Sequence, residues 1–268
     1  MFSEVIGGRD LPPCGRVCHR VGVCAGSIRF MGNVMNAKHL RETLRGLADP
    51  AIAEHSQRFF KTGKGEYGEG DRFLGIRVPV LRREARRHLG ISIAQLLRLL
   101  RSRYHEERLC ALLIMVLKYQ RGSEEERAAI YQHYLENTDC INNWDLVDSS
   151  AHSILGAHLK DRERGILYRL ARSESLWERR IAIMATLHFI KNREYGDTLK
   201  LSHMLLEDSH DLIHKAVGWM LREVGNRAPR VERAFLNSHY RQMPRTMLRY
   251  AIEKFPEKER KAYLNGRL

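Results

Sequence analysis

From about Asn36 to the C-terminus, apolar residues recur three and four positions apart, the spacing that lays one apolar stripe along a helix. No stretch alternates apolar and polar residues over the length of a strand. Helix starts carry their own signals. Asn36 precedes the helical run Ala37-Lys38-His39-Leu40, Asp49-Pro50 places a capping residue before a proline at the first helical position, and Arg77-Val78-Pro79 opens another helix. Further on, Asn142 and Asn143 can cap a helix whose buried stripe is Ile141, Val147, Ala151, Ile154 and Leu155. The pattern predicts an all-α chain.

Four of these helical segments compare well with one another. Arg108-Leu109-Cys110-Ala111-Leu112, Arg179-Arg180-Ile181-Ala182-Ile183, His214-Lys215-Ala216-Val217 and Arg249-Tyr250-Ala251-Ile252 align on Ala111, Ala182, Ala216 and Ala251. The gaps between those alanines are 71, 34 and 35 residues, the first close to two periods, and Val147 falls near the missing midpoint. A period of about 35 with two helices per repeat predicts an α-solenoid superhelix of HEAT-like repeats, which curves and offers a concave face to a long partner.

Residues 1–34 differ from everything after them. Gly7, Gly8, Pro12, Pro13, Gly15, Gly22, Gly26 and Gly32 interrupt them, and they show no helical period. They are expected to form a disordered N-terminal extension, with residues 35–268 as the repeat domain. They lack the apolar core of a signal peptide. Cys14, Cys18, His19 and Cys24 match no common zinc spacing, and no second ligand pair follows, so no metal is expected. The odd number of cysteines, with Cys110 inside an apolar run, fits a reducing cytoplasmic setting.

Charge then narrows the partners. Lys and Arg total 46 against 32 Asp and Glu, a formal net charge of +14. A surplus of that size favours a polyanion, nucleic acid first. No apolar run approaches the roughly 20 residues of a spanning helix, so a membrane partner is not expected. The Gly-rich stretch Lys61 to Asp71 lacks the Lys-Ser/Thr ending of a phosphate-binding loop and no strand precedes it. It is either a connector or a basic, aromatic loop that meets a partner through Lys61, Lys64 and Tyr67.

Candidate chemistry centres on Asn143-Trp144-Asp145-Leu146-Val147-Asp148. Trp144 and Asp148 lie one helical turn apart on one face, at the margin of the buried stripe. Trp219 lies about 200° from Val217 around its helix. It therefore shares a face with Lys215 and Arg222 rather than with the apolar stripe. Arg180 and Lys191, three turns apart, would align two cations along a phosphate backbone. Trp177 precedes its helix as a core or staple residue.

Three of these motifs, with Phe73-Leu74-Gly75-Ile76-Arg77-Val78-Pro79, resemble the AlkD family of bacterial DNA glycosylases. The three are the Trp144–Asp148 segment, Trp177-Glu178-Arg179-Arg180-Ile181-Ala182-Ile183, and Lys215-Ala216-Val217-Gly218-Trp219-Met220-Leu221-Arg222-Glu223. The resemblance runs from about Asn36 to the C-terminus and excludes residues 1–34. It implies a HEAT-like solenoid that removes N3- and N7-alkylated purines from double-stranded DNA without a cofactor. It also implies that Trp144, Asp148 and Trp219 are active-site residues and that Arg180 contacts DNA. A monomer is expected. The residues suit that chemistry. An alkylated purine is cationic and already a good leaving group, so one carboxylate that stabilises the developing sugar cation is enough, without a second as general acid. Two indoles can hold the cationic base by stacking and cation–π attraction. Two other functions remain compatible with the repeats, a non-catalytic nucleic-acid-binding module and a protein scaffold.

Overall fold

The computed structural model describes residues 36–267, so the expectations for residues 1–34, their cysteines included, lie outside the described residues. Among the described residues there is no strand. The helices are α1 (Ala37–Gly46), α2 (Pro50–Phe59), α3 (Val78–Arg87), α4 (Ile93–Leu100), α5 (His105–Arg121), α6 (Glu124–Glu136), α7 (Trp144–Ala151), α8 (Gly165–Leu170), α9 (Leu176–Ala185), α10 (Leu187–Lys191), α11 (Gly196–Met204), α12 (Asp211–Gly225), α13 (Pro229–His239), α14 (Arg245–Ala251) and α15 (Glu257–Leu264). None is long and apolar enough to cross a membrane. The caps read from sequence form. Asn36 accepts from the His39 amide at 2.9 Å, Asp49 from those of Ala51 and Ile52 at 2.9 and 3.1 Å, and Asn143 from that of Trp144 at 2.8 Å.

An inner ladder organises the all-α helical-repeat fold. α5 packs on α7, α7 on α9, α9 on α12 and α12 on α14. The periodic positions Ala111, Val147, Ala182, Ala216 and Ala251 fall one on each rung, and all are fully buried. Outer helices lie behind the rungs, with α3 and α4 against α5, α8 against α9, and α13 against α12. Small residues are needed where rungs approach closely. A Cβ on Gly218 of α12 would sit 2.4 Å from the Met247 carbonyl oxygen of α14, so only glycine fits there.

At its N-terminal end the ladder depends on an unusual helix turn. α5 begins His105-Glu106-Glu107-Arg108, and all four residues are at most 5% exposed. Each holds a different segment. The Glu106 carboxylate accepts from the backbone amides of Leu74, Gly75 and Ile76 at 2.8, 2.7 and 3.2 Å. Glu107 pairs with Arg41 at 3.0 Å and Arg45 at 3.6 Å on α1. Arg108 pairs with Asp71, and His105 bridges Asp71 and Asp145. The Phe73–Pro79 motif thus has a structural purpose: its first five residues cross this turn before α3 starts at Val78. Gly75, at φ +82°, passes so close to α2 that a Cβ would meet the Asp49 carbonyl oxygen at 2.0 Å.

One buried carboxyl has no such compensation. Glu232 on α13 is 2% exposed, and its Oε1 has no hydrogen-bond partner. Burial raises its pKa to about 8, with Arg233 opposing and Glu259 adding. Because the folded value lies above the unfolded one, its proton is held more tightly in the native state. Its favourable contribution is therefore complete below about pH 4.5 and is lost as pH rises toward 8. Glu232→Gln is expected to raise stability by about 1–3 kcal/mol at pH 8 and to change it little at pH 4.5. Urea denaturation at the two pH values checks this, and an equal effect at both would refute it.

Candidate functional site

The ladder brings three distant segments to one cleft. α7 supplies Trp144, α9 supplies Arg180, and α12 supplies Asp211, Leu212, Lys215 and Trp219. Phe59 at the end of α2, Lys61 and Tyr67 of the Gly-rich loop, and Tyr250 of α14 complete the wall. The cleft encloses about 480 Å³. Phe59 is 57% exposed, and Tyr250 is also exposed, so the rim presents aromatic surface to solvent.

Asp148 stands behind this wall, 15% exposed, in a two-point ion pair. Arg180 Nε donates to Oδ1 at 2.9 Å and Nη2 to Oδ2 at 2.8 Å, while Nη1 donates to the Leu212 carbonyl oxygen. A forked guanidinium held at three points orients the carboxylate and leaves each of its oxygens a further acceptor position. Burial raises the pKa of Asp148, Arg180 opposes that rise, and Asp145 adds to it.

Trp144 is fixed by aromatic neighbours. Phe60 stacks on it with ring centroids 5.1 Å apart and planes 15° from parallel, and Phe59 meets it edge-on at 5.9 Å. Tyr67 packs edge-on against Trp177 at 6.1 Å. Burial raises the pKa of the Tyr67 hydroxyl, against the lowering effects of the Trp144 indole N–H and Lys215. The Gly-rich loop is therefore folded into the site, not a free connector. Trp219, half-buried, donates from its indole nitrogen to Glu223 Oε1 at 3.3 Å.

The cations expected on this surface divide. Lys61 and Lys215 line the cleft, with Lys215 Nζ 2.6 Å from Asp211. Arg180 borders the cleft but is 4% exposed, and its donors are committed to Asp148 and Leu212. The expectation of an Arg180–Lys191 row on one helix is corrected. α9 ends at Ala185, where the Thr186 hydroxyl donates to the Ile183 carbonyl at 2.7 Å, and Lys191 lies exposed on the separate α10. Arg222 does not line the cleft: it pairs with Glu253 and lines a different cavity, beside Glu232. Lys64 is exposed on the loop, outside the cleft. Among the described residues no group of three or more His, Cys, Asp or Glu is placed to hold a metal.

Sequence reading missed the aromatic pair Phe59-Phe60 and the network under α7. There, His105 Nε2 lies 2.7 Å from Asp145 Oδ2 and Nδ1 lies 3.1 Å from Asp71 Oδ2. Burial alone would lower the imidazole pKa, but Asp145 and then Asp71 raise it to about 9. The available signal was the run of four ionisable residues opening an otherwise apolar helix, since such residues are buried only with partners.

The family model described as DNA alkylation repair enzyme matches residues 40–255. A solved structure of a predicted DNA alkylation repair enzyme from Enterococcus faecalis superposes with a TM-score of 0.60, at 18% identity, over 78% of this chain and 97% of that chain. That likeness is one of fold. No curated protein matches the chain.

The geometry of the ion pair gives a direct expectation. Arg180→Ala leaves Asp148 buried without its counter-charge, and stability should fall by about 3–5 kcal/mol in urea denaturation at neutral pH. Arg180→Lys keeps the charge but not the fork, and should fall between. A loss below 1 kcal/mol for Arg180→Ala, the size typical of exposed pairs, would show that the pair is a surface contact.

Proposed function

The chain belongs to the DNA alkylation repair enzyme family, and on that premise we propose that it is a DNA glycosylase. It would hydrolyse the N-glycosidic bond of cationic N3- or N7-alkylated purines in double-stranded DNA, as a monomer and without a cofactor. The observation that carries this reading is an oriented carboxylate, Asp148, set behind a cleft lined by two indoles, Trp144 and Trp219, and by the cations Lys61 and Lys215.

Each part has a task in that reaction. The bond between the sugar C1′ and the purine nitrogen breaks, and the electron pair leaves with the base, which becomes neutral because it began as a cation. Positive charge develops on the sugar, where Asp148 stabilises it. A water oxygen then bonds to C1′, and its proton passes to Asp148 or to solvent. Trp144 and Trp219 present π faces to the cationic base, an attraction of about 0.5–2 kcal/mol each. Lys61 and Lys215 face the phosphates on either side. The surplus positive charge of the chain supplies the affinity for DNA that does not depend on sequence.

The test is single-turnover release of 7-methylguanine or 3-methyladenine at saturating enzyme. Asp148→Asn keeps an oxygen for Arg180 but loses the anion. It should slow release by about 10²-fold or more while DNA affinity survives. Trp219→Ala should lose more on cationic lesions than on neutral ones, because cation–π attraction needs the charge. Wild-type-like release by Asp148→Asn would refute the role of the carboxylate. DNA binding without release by the wild type would identify a non-catalytic module instead.

A further inference from the structure

We propose that His105 is a positioning residue for this reaction: its doubly protonated ring clamps Asp145 to Asp71, fixes the first turn of α7 that carries Trp144, and shields Asp148 from the Asp145 carboxylate. The inference rests on the glycosylase reading and adds to it a group that never touches the substrate.

The geometry points to two protons on the ring. Both imidazole nitrogens face carboxylate oxygens, Nε2 toward Asp145 at 2.7 Å and Nδ1 toward Asp71 at 3.1 Å. A neutral imidazole has one N–H, so one of these contacts would set lone pair against lone pair. The surroundings favour the same state. Phe73 stacks on the ring at 4.6 Å, Phe60 meets it tilted at 5.0 Å, and His105 is only 2% exposed. Asp71 also accepts from Arg108 and from the Asn143 amide at 3.1 Å, so its position is fixed independently of His105. The raised imidazole pKa agrees with this arrangement.

The effect on Asp148 is electrostatic. Asp145 and Asp148 lie three residues apart on α7, and the charge of Asp145 pushes the Asp148 carboxyl toward protonation. Arg180 opposes that push from α9 and contacts Asp148 directly. His105 opposes it from α5 by neutralising Asp145, whose other facing titratable group is Tyr67. Glu106, His55 and Arg77 line the cavity that His105 and Asp145 share, and Glu106 is already satisfied by backbone amides. Without the imidazolium, the unopposed Asp145 carboxylate would hold a proton on Asp148 at a pH where the reaction needs the anion.

The experiment combines ring spectroscopy with pH profiles on the full chain. Nitrogen-15 spectra of the wild type at about pH 7.5 should show both His105 nitrogens protonated. In single-turnover release of 7-methylguanine, corrected for enzyme-free loss, His105→Gln should raise the acid limb by about one pH unit. Release well to the acid side of the limb should then fall roughly tenfold while DNA affinity stays within about twofold. Asp145→Asn should move the limb the other way, and His105→Gln/Asp145→Asn should return it toward the wild-type position. A uniform loss of rate with an unmoved limb would overturn the proposal, because a purely structural histidine acts in that way. A neutral ring at about pH 7.5 would overturn it as well. If His105→Gln fails to fold, the ring spectrum and the Asp145→Asn profile decide between the outcomes. Absence of release by the wild type would instead defeat the glycosylase reading, and the ring spectrum would still report on the clamp.

Discussion

The first turn of α5 buries four ionisable side chains in a row, and the arrangement around the cleft follows from the need to satisfy them. An unpaired buried charge costs several kcal/mol, so each must find a partner, and each finds it in a different part of the chain. Glu107 thereby ties in α1, Glu106 the segment after the Gly-rich loop, Arg108 the end of that loop, and His105 the start of α7. Apolar packing is thin in the same region. No residue of α2 is buried, and a cavity of about 480 Å³ lies beneath it, lined by Ala51, Ile52 and Phe73 among others. The front wall of the site is thus positioned by hydrogen bonds and ring contacts, which fix direction, more than by burial, which does not.

The helical repeat was legible in the sequence because its cause is local and repeated. Each rung must approach the next closely, so a small or compact residue returns at Ala111, Val147, Ala182, Ala216 and Ala251. The caps were legible for a similar reason, since Asn36, Asp49 and Asn143 each act within three residues of themselves. Trp144 and Asp148 could be paired because one helical turn separates them.

Partnerships across the ladder were not legible. Arg180 meets Asp148 across 32 residues, and His105 meets Asp145 across 40, so nothing in the local spacing couples them. Period arithmetic also misled where a helix was interrupted. An unbroken helix would align Arg180 with Lys191, but the turn at Thr186 starts α10 afresh. Likewise, the helical wheel put Lys215 and Arg222 beside Trp219 with equal right. Lys215 pairs with Asp211 on its own helix and lines the cleft, whereas Arg222 pairs with Glu253, a neighbour that α12 does not contain, and lines another cavity.

A carboxylate behind a cleft proposed to bind DNA raises an electrostatic problem, and the Arg180 pair answers it. A lone anion would repel the phosphates that Lys61 and Lys215 would attract in the proposed complex. Paired with a guanidinium at 2.8–2.9 Å, Asp148 is seen from afar as a dipole, whose field falls off faster than that of a single charge. At about 10 Å, where salt already screens exposed charges, a phosphate senses little of it. An atom in contact with the free side of the carboxylate still senses the oxygens first, because the guanidinium lies behind them. In the proposed reaction that atom is the sugar carbon as its bond to the base breaks. The same pair therefore tolerates DNA in the ground state and favours positive charge where it develops, which is the difference in binding that catalysis requires.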